Sequence, residues 1–375
     1  MKRNILKQAC VVTALAVSAA SLAGCSGGGG NAPAQTTAAA TTAAPAEQNT
    51  AAEKTDSAGG GETKAEAAGA ALEGEATSLS LANTQPDTDV ESLQLYACEK
   101  TIEEATGGNF SVEVFTNSAL GDTDDILEQA IQGTAVLTVT DPGRLADYIP
   151  DFGILQMPYI MEDYTKIDAI TGTDMVKEWE KGFEEYGVKV LASNWYGGAR
   201  HFVCNKEVNV PEDLNGLKIR TMGSDLCIQS VTAMGAVGTA MSQSEIYSGI
   251  EQKAIDGCEN QSTSTYASRL YEVCSYVNKT GHFMLLGTPA TGTIYFNSLS
   301  EDYQKLLVDT FRENGTEYQK ICAEMEIECE KQMEAEGMTI HEVDNTPFKE
   351  AVEPVYDSLG YRDLRDQILT EAGLK

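Results

Sequence analysis

The chain has 375 residues and a formal net charge of −31, from 57 acidic and 26 basic side chains. This acidity argues against binding nucleic acid or anionic lipid through a broad electrostatic surface. It contains nine cysteines and three histidines, but no CxxC spacing. Neither a zinc site nor a disulfide framework is predicted, and no metal or cofactor is expected.

The N-terminus has the pattern of a secretory signal. A basic segment at 1–7 precedes an apolar stretch at 9–20, which is too short to span a bilayer comfortably. The stretch ends in Leu-Ala-Gly-Cys, the pattern of a bacterial lipoprotein cleavage site. We therefore predict a signal peptide at 1–24 and a lipid on Cys25. An ordinary signal peptide with a chance cysteine is the alternative.

The segment that follows the signal is rich in Ala, Thr, Gly and Glu. Residues 25–76 contain almost no aliphatic side chain larger than alanine, so they cannot bury enough apolar surface to offset the entropy lost on ordering. We predict a disordered tether that holds the globular part away from the membrane. The sequence has no second hydrophobic segment, and no membrane span is predicted.

Strand and helix patterns alternate through the rest of the chain, which predicts α/β layers. In chain order, the first part has a strand at 79–81, a helix ending near Gly107 and Gly108, a strand at 112–115, a helix capped by Asp122 or Thr123, and a strand at 136–140. Strands at 188–191 and 217–220 follow. A helix headed by a capping box at 242–245 and a long helix from about 301 to 336 complete the prediction. Trp195, Tyr196, His201 and His282 are expected to be structural.

Short motifs between residues 194 and 282 place two arginines and an amide at the ends of strand-like segments, an arrangement suited to holding a carboxylate. They read NWYGGAR, GLKIR, SEIY, IDGCEN and TGH, and end at 200, 220, 247, 260 and 282. With related stretches upstream and downstream, they resemble the extracytoplasmic solute receptors of tripartite ATP-independent periplasmic (TRAP) transporters, the DctP family. The resemblance covers roughly residues 77 to 370.

The resemblance implies an α/β, two-lobed, periplasmic-binding-protein-like fold with a cleft between the lobes, hinge strands and a long helix spanning both lobes. It implies one lobe from 77–197 plus about 286–325, and a second from 198–285 plus about 326–375. The receptor would be a monomer outside the cytoplasm, anchored through the lipid on Cys25, and its partner would be the membrane permease.

Two arginines are the first candidates for holding a ligand. The guanidinium is a planar fork that matches a carboxylate, and it keeps its charge when desolvated. The resemblance implies that Arg220 pairs with the ligand carboxylate and that Arg200, after a Gly-Gly-Ala turn, lies near the ligand. Residue chemistry alone also allows a surface pair for Arg220 and a salt bridge between lobes for Arg200.

Further polar residues complete the predicted site. The amide of Asn260 can bind a carboxylate or a hydroxyl, although a cap is its alternative role. Asp141 and Arg144 match an acid and an arginine three apart in sialic-acid receptors, but the Pro-Gly between them departs from that pattern. Asn83, after the first strand, is a further candidate. Gln243 stands where many relatives have an aromatic, which indicates a more polar ligand or a different lid.

These features predict a solute receptor that captures a small organic acid and delivers it to the permease. A C4-dicarboxylate, a sugar acid and another monocarboxylate all stay open. A binding module that signals to a membrane sensor would use the same residues. A secreted enzyme acting on an acidic small molecule is the third reading, but the chain has no G-x-S-x-G, H-E-x-x-H or phosphate-binding loop motif, so we expect no enzyme.

Overall fold

The computed structural model describes Leu72 and residues 74–375. The predicted signal peptide, the predicted lipid on Cys25 and nearly all of the predicted tether lie outside these residues. Within the described part, no helix is both long enough and apolar enough to cross a membrane.

The described residues form ten strands. They are β1 Thr77–Ala82, β2 Phe110–Phe115, β3 Val136–Thr140, β4 Val188–Val190, β5 Trp195–Cys204, β6 Lys218–Thr221, β7 Val237–Ala240, β8 Gly257–Gln261, β9 Tyr276–Gly292 and β10 Thr339–Glu342. Their order is β2-β1-β3-β9-β5-β8-β6-β7, with β4 and β10 also paired to β9. Every strand predicted from the sequence is present, with bounds shifted by at most two residues.

The long strand β9 divides this sheet into two halves. Its C-terminal part, 288–292, pairs with β3 and β4, and with β1 and β2 these strands form the first half-sheet. The rest of β9 pairs with β5 and β10, and β5 to β8 and β10 complete the second half-sheet. β1 pairs in parallel with both of its neighbours, as does β6. The chain thus has the two-lobed α/β fold, with β9 continuous between the halves.

Twelve α-helices lie in the same described part of the chain. They are α1 Val90–Thr106, α2 Thr123–Ile131, α3 Pro142–Leu145, α4 Ile167–Thr171, α5 Asp174–Gly182, α6 Asp225–Ala233, α7 Ile246–Glu251, α8 Ser262–Ala267, α9 Thr293–Ser298, α10 Glu301–Ala335, α11 Thr346–Ser358 and α12 Arg362–Glu371. Short 3₁₀ turns connect several of them.

Local sequence explains where the helices beside the first half-sheet begin and end. The Asp89 side chain accepts the backbone N–H of Glu91 at the start of α1, and Gly107 ends that helix in the left-handed conformation. Asp122 caps α2 as predicted, in a reciprocal capping box with Asp125.

The long helix α10 joins the two hydrophobic cores. Its N-terminal half places Tyr303, Leu307 and Phe311 in the core beneath the first half-sheet. Its C-terminal half places Met333 in the core beneath the second. This confirms the prediction of one long helix spanning both lobes.

Two local predictions are wrong. Residues 243–245 form a 3₁₀ turn rather than the first turn of a helix, and Ser242 makes no capping hydrogen bond, because its hydroxyl lies 3.3 Å from that of Ser244 instead. The Gly-Gly-Ala segment before Arg200 is not a turn: it lies inside β5, as an irregularity in the pairing with β9.

The cysteines after the tether are all buried. Six of them form no disulfide within the described residues: Cys98, Cys204, Cys227, Cys258, Cys274 and Cys322. They pack as small apolar side chains, as the spacing of Cys322 and Cys329 on α10 predicts.

Candidate functional site

A small polar cavity lies where the two half-sheets meet. Its volume is about 50 Å³, which is room for one or two water molecules. The first half-sheet and its adjoining loops and helices contribute Thr84, Gln85, Glu91, Asp122, Thr123, Val139, Thr140, Asp141 and Arg144; the remainder of the wall is Arg200, Arg220, Met222, Gln243, Leu285 and Gly287. Residues of both half-sheets therefore line the same cavity.

Arg220, in β6, is a buried cation without a counterion. Its residue is 3% exposed, its Nε donates to the carbonyl of Met241 at 2.8 Å, and its Nη1 donates to Gln243 Oε1 at 3.3 Å. No carboxylate lies within ion-pair distance in the described part of the chain. Burial, followed by the nearby charge of Arg200, lowers the pKa of Arg220 to about 10, so the group is still charged at neutral pH. Such a cation is stabilised by an anion that enters the cavity.

Arg200, in β5, is equally buried but fully paired. Its Nε and Nη2 bond the two carboxylate oxygens of Glu259, the second at 2.9 Å. Its Nη1 donates to Gln261 Oε1 at 2.6 Å. Burial opposes its charge, but Glu259 outweighs burial and raises the pKa of Arg200. This guanidinium forms part of the cavity wall, while its charge is neutralised within the second half-sheet.

Asp141 and Arg144 form a second neutralised pair on the opposite wall. Asp141 caps α3 by accepting the backbone N–H of Arg144 at 3.1 Å, and its other oxygen pairs with the Arg144 guanidinium. Arg144 also lies 3.2 Å from a carboxylate oxygen of Asp124. The intervening Pro-Gly occupies the first turn of α3, so it brings the two side chains together at the cavity rather than separating them.

The structure does not bring Asn83 or Asn260 to the cavity wall. Asn83 donates to Glu91 Oε1 and to Ser92 Oγ, both at 3.0 Å, so it holds another side chain in position. The Asn260 side-chain amide is buried, and neither its oxygen nor its nitrogen is hydrogen-bonded to a residue that the structure describes. It alternates along β8 with Glu259 and Gln261, the two partners of Arg200, and therefore projects from the other face of that strand.

The cavity also has buried polar atoms without partners. Gln243 Nε2, Gln85 Oε1 and Thr140 Oγ1 make no hydrogen bond within the described residues, although each side chain belongs to a residue at least nine-tenths buried. Buried polar groups are almost always paired, so these atoms favour a polar molecule as the occupant of the cavity.

Sequence reasoning missed the acids and amides that decide which arginine is available. Glu259 neutralises Arg200 and Gln261 accepts a hydrogen bond from it, and only the alternation of β8 beside β5 could have indicated this. Glu91 and Gln85 line the cavity, whereas the nearby Asn83, which was predicted, does not. Glu91 lies in the first turn of a helix, where an acid is explained by the helix dipole, so its position gave no separate signal.

The buried histidines are structural, as predicted. His282 Nδ1 lies 2.7 Å from the Thr280 hydroxyl, and His201 Nδ1 accepts the backbone N–H of Gly281 at 3.0 Å. Burial lowers the pKa of both rings, to about 3 for His201. Both are therefore neutral at physiological pH, and no cluster able to hold a metal ion is present in the region that the structure covers.

A comparison with protein families assigns the chain. Residues 81–363 match the model of the bacterial extracellular solute-binding proteins, family 7, the DctP family. The chain belongs to this family. The family consists of solute-binding proteins rather than enzymes.

Individual relatives agree with this assignment. The C4-dicarboxylate-binding periplasmic protein DctP of Vibrio cholerae is 28% identical over 242 residues, 64% of this chain and 73% of the relative. A TRAP periplasmic solute-binding protein from Ochrobacterium anthropi, solved with L-fuconate, has a TM-score of 0.77 and 28% identity, covering 79% of this chain and 99% of its own. Its counterpart from Actinobacillus succinogenes, solved with L-galactonate, has a TM-score of 0.75 and 27% identity, covering 78% and 99%.

Proposed function

We propose that this protein is the extracytoplasmic receptor of a TRAP transporter, that it captures a small organic acid through Arg220, and that it delivers the acid to a membrane permease. The observation that carries the proposal is the buried, uncompensated charge of Arg220. The relatives solved with L-fuconate and L-galactonate support an acid as the ligand, since both molecules carry a carboxylate.

A carboxylate at Arg220 would complete hydrogen bonding that the protein leaves open. Nη2 of this guanidinium donates to no atom of the described residues, while Nε and Nη1 bond only to a carbonyl and to Gln243. A carboxylate can accept from the guanidinium in a bidentate manner. It would also supply the negative charge that compensates the buried cation, and would raise the pKa of Arg220 from about 10.

Closing of the cleft around the acid would strengthen this pair. The cavity is walled by residues of both half-sheets, and a volume of about 50 Å³ is too small for a sugar acid. Entry of the ligand therefore requires the halves to move apart, by hinge motion of the strands that join them. Exclusion of water on reclosing lowers the local dielectric and strengthens the ion pair against the acidic field of the whole chain.

We further propose that the predicted lobes, 77–197 plus about 286–325 and 198–285 plus about 326–375, are the units that move. The lipid on Cys25 and the tether would keep the receptor at the membrane that holds the permease. A receptor tied to that surface encounters its partner at a raised effective concentration.

The first experiment is a thermal-shift and calorimetric titration of the full-length chain with a panel of small organic acids, for wild type and Arg220→Met. We expect an acid that binds wild type to lose affinity by at least about 30-fold in the variant, because one partner of a buried charge pair is removed. Arg269→Met is the matched control, since the Arg269 side chain is 66% exposed and its ion pair is with neighbouring Glu272.

Binding that is unchanged in Arg220→Met would overturn the role of this arginine. Delivery is tested separately, by uptake of the same acid in cells that lack the receptor and are complemented with wild type or the variant. We expect only wild type to restore uptake at low acid concentration. If wild type binds the acid but neither protein restores its uptake, delivery to a permease is contradicted.

A further inference from the structure

The cavity wall of the first half-sheet contains a carboxyl group with no cation beside it. Glu91 lines the cavity, and its Oε1 accepts a hydrogen bond from Asn83 Nδ2 at 3.0 Å. No lysine, arginine or histidine pairs with Glu91 in the described part of the chain, and its Oε2 has no hydrogen-bond partner there. This oxygen is available to a molecule in the cavity.

The position of Glu91 is fixed by its neighbours. Asn83 also donates to Ser92 Oγ at 3.0 Å, which orients its amide toward Glu91. The Glu91 backbone N–H donates to Asp89 Oδ1 at 2.9 Å, and Asp89 Oδ2 accepts from Ser264 Oγ at 2.7 Å. The carboxyl group of Glu91 is therefore held by buried polar side chains and is not a mobile surface acid.

The charges around the cavity leave one cation for the ligand. Arg200 is neutralised by Glu259, and Arg144 by Asp141 and Asp124, which leaves Arg220. Beyond that site, the wall presents Glu91 together with the unpartnered oxygens of Gln85 and Thr140. A ligand with one carboxylate and several hydroxyl groups matches this set, because hydroxyls donate to such oxygens.

A second carboxylate would find no partner in the same place. It would lie against Glu91, which is not paired with a cation in residues 74–375. An anion that is desolvated without a counter-charge carries a large free-energy penalty. The wall opposite Arg220 thus disfavours a dicarboxylate, because it offers the second carboxylate no cation.

We infer that the receptor is selective for polyhydroxylated monocarboxylates, and that Glu91 contributes to this selectivity by hydrogen-bonding ligand hydroxyls at a wall that offers no cation to a second carboxylate. The inference rests on the proposed function and narrows its ligand class. Burial, and then the charge of Asp89, raises the pKa of Glu91 to about 8. At neutral pH its carboxyl group is mainly protonated, so it can donate to a hydroxyl as well as accept from one.

The test uses matched six-carbon acids with the full-length chain in calorimetric titration. L-fuconate, L-galactonate and D-gluconate are the hydroxylated monoacids, hexanoate lacks the hydroxyls, and D-glucarate adds the second carboxylate. We expect wild type to bind at least one monoacid more tightly than hexanoate and D-glucarate, by about tenfold or more in each case. Glu91→Ala should weaken that monoacid by about tenfold and leave hexanoate unchanged.

Glu91→Gln is the conservative variant, because an amide keeps a donor and an acceptor but has no charge. It should retain the affinity for the monoacid within about threefold and leave D-glucarate as weakly bound as in wild type, because the amide resembles the protonated acid. Thermal melting without ligand verifies that each variant is folded. A general loss of folding would weaken all acids equally, whereas the inference requires effects that differ between them.

Two failures are distinguishable. If acids bind through Arg220 but wild type binds hexanoate or D-glucarate as tightly as every monoacid, or the Glu91 variants change no ratio, this inference is overturned and the proposed function stands. If no acid binds wild type, or Arg220→Met binds them all unchanged, the proposed binding mode fails and this inference fails with it.

Discussion

Arg200 and Arg220 lie at the same cavity, in strands of the same half-sheet, and both are almost fully buried. Arg200 has an acid and an amide side chain of β8 as partners. Arg220 instead donates to the carbonyl of Met241 and, over a longer distance of 3.3 Å, to the amide oxygen of Gln243. A buried charge that the protein itself compensates belongs to the structure of the fold, since removing one partner leaves the other unpaired, whereas a charge that it leaves uncompensated is available for an anion. Partners, rather than residue type or depth, therefore separate structural from binding arginines here.

The largest effect that follows from this comparison concerns stability. Arg200→Leu leaves the Glu259 carboxylate buried without its partner, so we expect the free energy of unfolding to fall by about 3–5 kcal/mol. Urea unfolding monitored by circular dichroism measures this loss. Lys305→Ala is the control, because its pair with Asp309 is exposed and should contribute less than about 1 kcal/mol. Equal losses in the two variants would show that burial of the pair is irrelevant.

A smaller effect is expected from the carboxyl group that lacks a cation. The raised pKa of Glu91, about 8 against 4.5 unperturbed, means that folded protein retains a proton that the unfolded chain has released. Stability from this group is therefore present below pH 4.5 and is lost as pH rises toward 8. Glu91→Gln should flatten this part of the pH profile by on the order of 1 kcal/mol, measured as the difference in unfolding free energy between wild type and variant.

The difference between the two proteins isolates Glu91, because the other acids titrate alike in both. Glu326, whose pKa burial raises to about 7, contributes a slope of the same sign to wild type and variant. Glu104→Gln serves as the control on the same helix, since its side chain is 70% exposed. A pH profile of stability that is as steep in Glu91→Gln as in wild type would show that Glu91 does not contribute to the pH dependence.

The smallest expected effect is on the unliganded protein when Arg220 is changed. Arg220→Met removes two hydrogen bonds but also a desolvated charge that has no counterion. We expect these changes to offset, so that the free energy of unfolding moves by less than about 1 kcal/mol. Chemical unfolding without added acid tests this. A loss of 3 kcal/mol or more would mean that Arg220 is as structural as Arg200, and the contrast between them would fail.

The sequence predicts the fold well because its signals are local or belong to the resemblance. The caps at Asp122 and Gly107, the strand patterns and the 35-residue helix α10 each depend on neighbours in the chain. The capping box at 242–245 failed although its pattern is present. A competing contact between two serine hydroxyls replaced the expected bond, and the pattern does not contain that contact.

The sequence indicates which arginines lie at the site, but not which of them are neutralised by an acid. The GLKIR motif indicates Arg220, yet only the pairing of strand β5 with strand β8 reveals that Glu259 forms an ion pair with Arg200. Asn83 was expected to contact the ligand, and in the structure it holds Glu91 instead. These relations join residues 8 to 59 positions apart, and they arise from strand order and helix placement, which no short motif records.

The helix α10 has a mechanical consequence for a protein whose cleft opens. Phe311 is packed in one core and Met333 in the other, while Trp195 Nε1 and Tyr196 Oη bond to the helix at 2.7 Å, on the backbone of Phe311 and the side chain of Glu326. At about 1.5 Å per residue, the helix is roughly 50 Å long. A rod fixed in both halves cannot follow both when they separate, so opening must bend it or shift one end. Exposed side chains along α10, such as Ile327, would change position with that movement and show on the protein surface whether the cleft is open or closed.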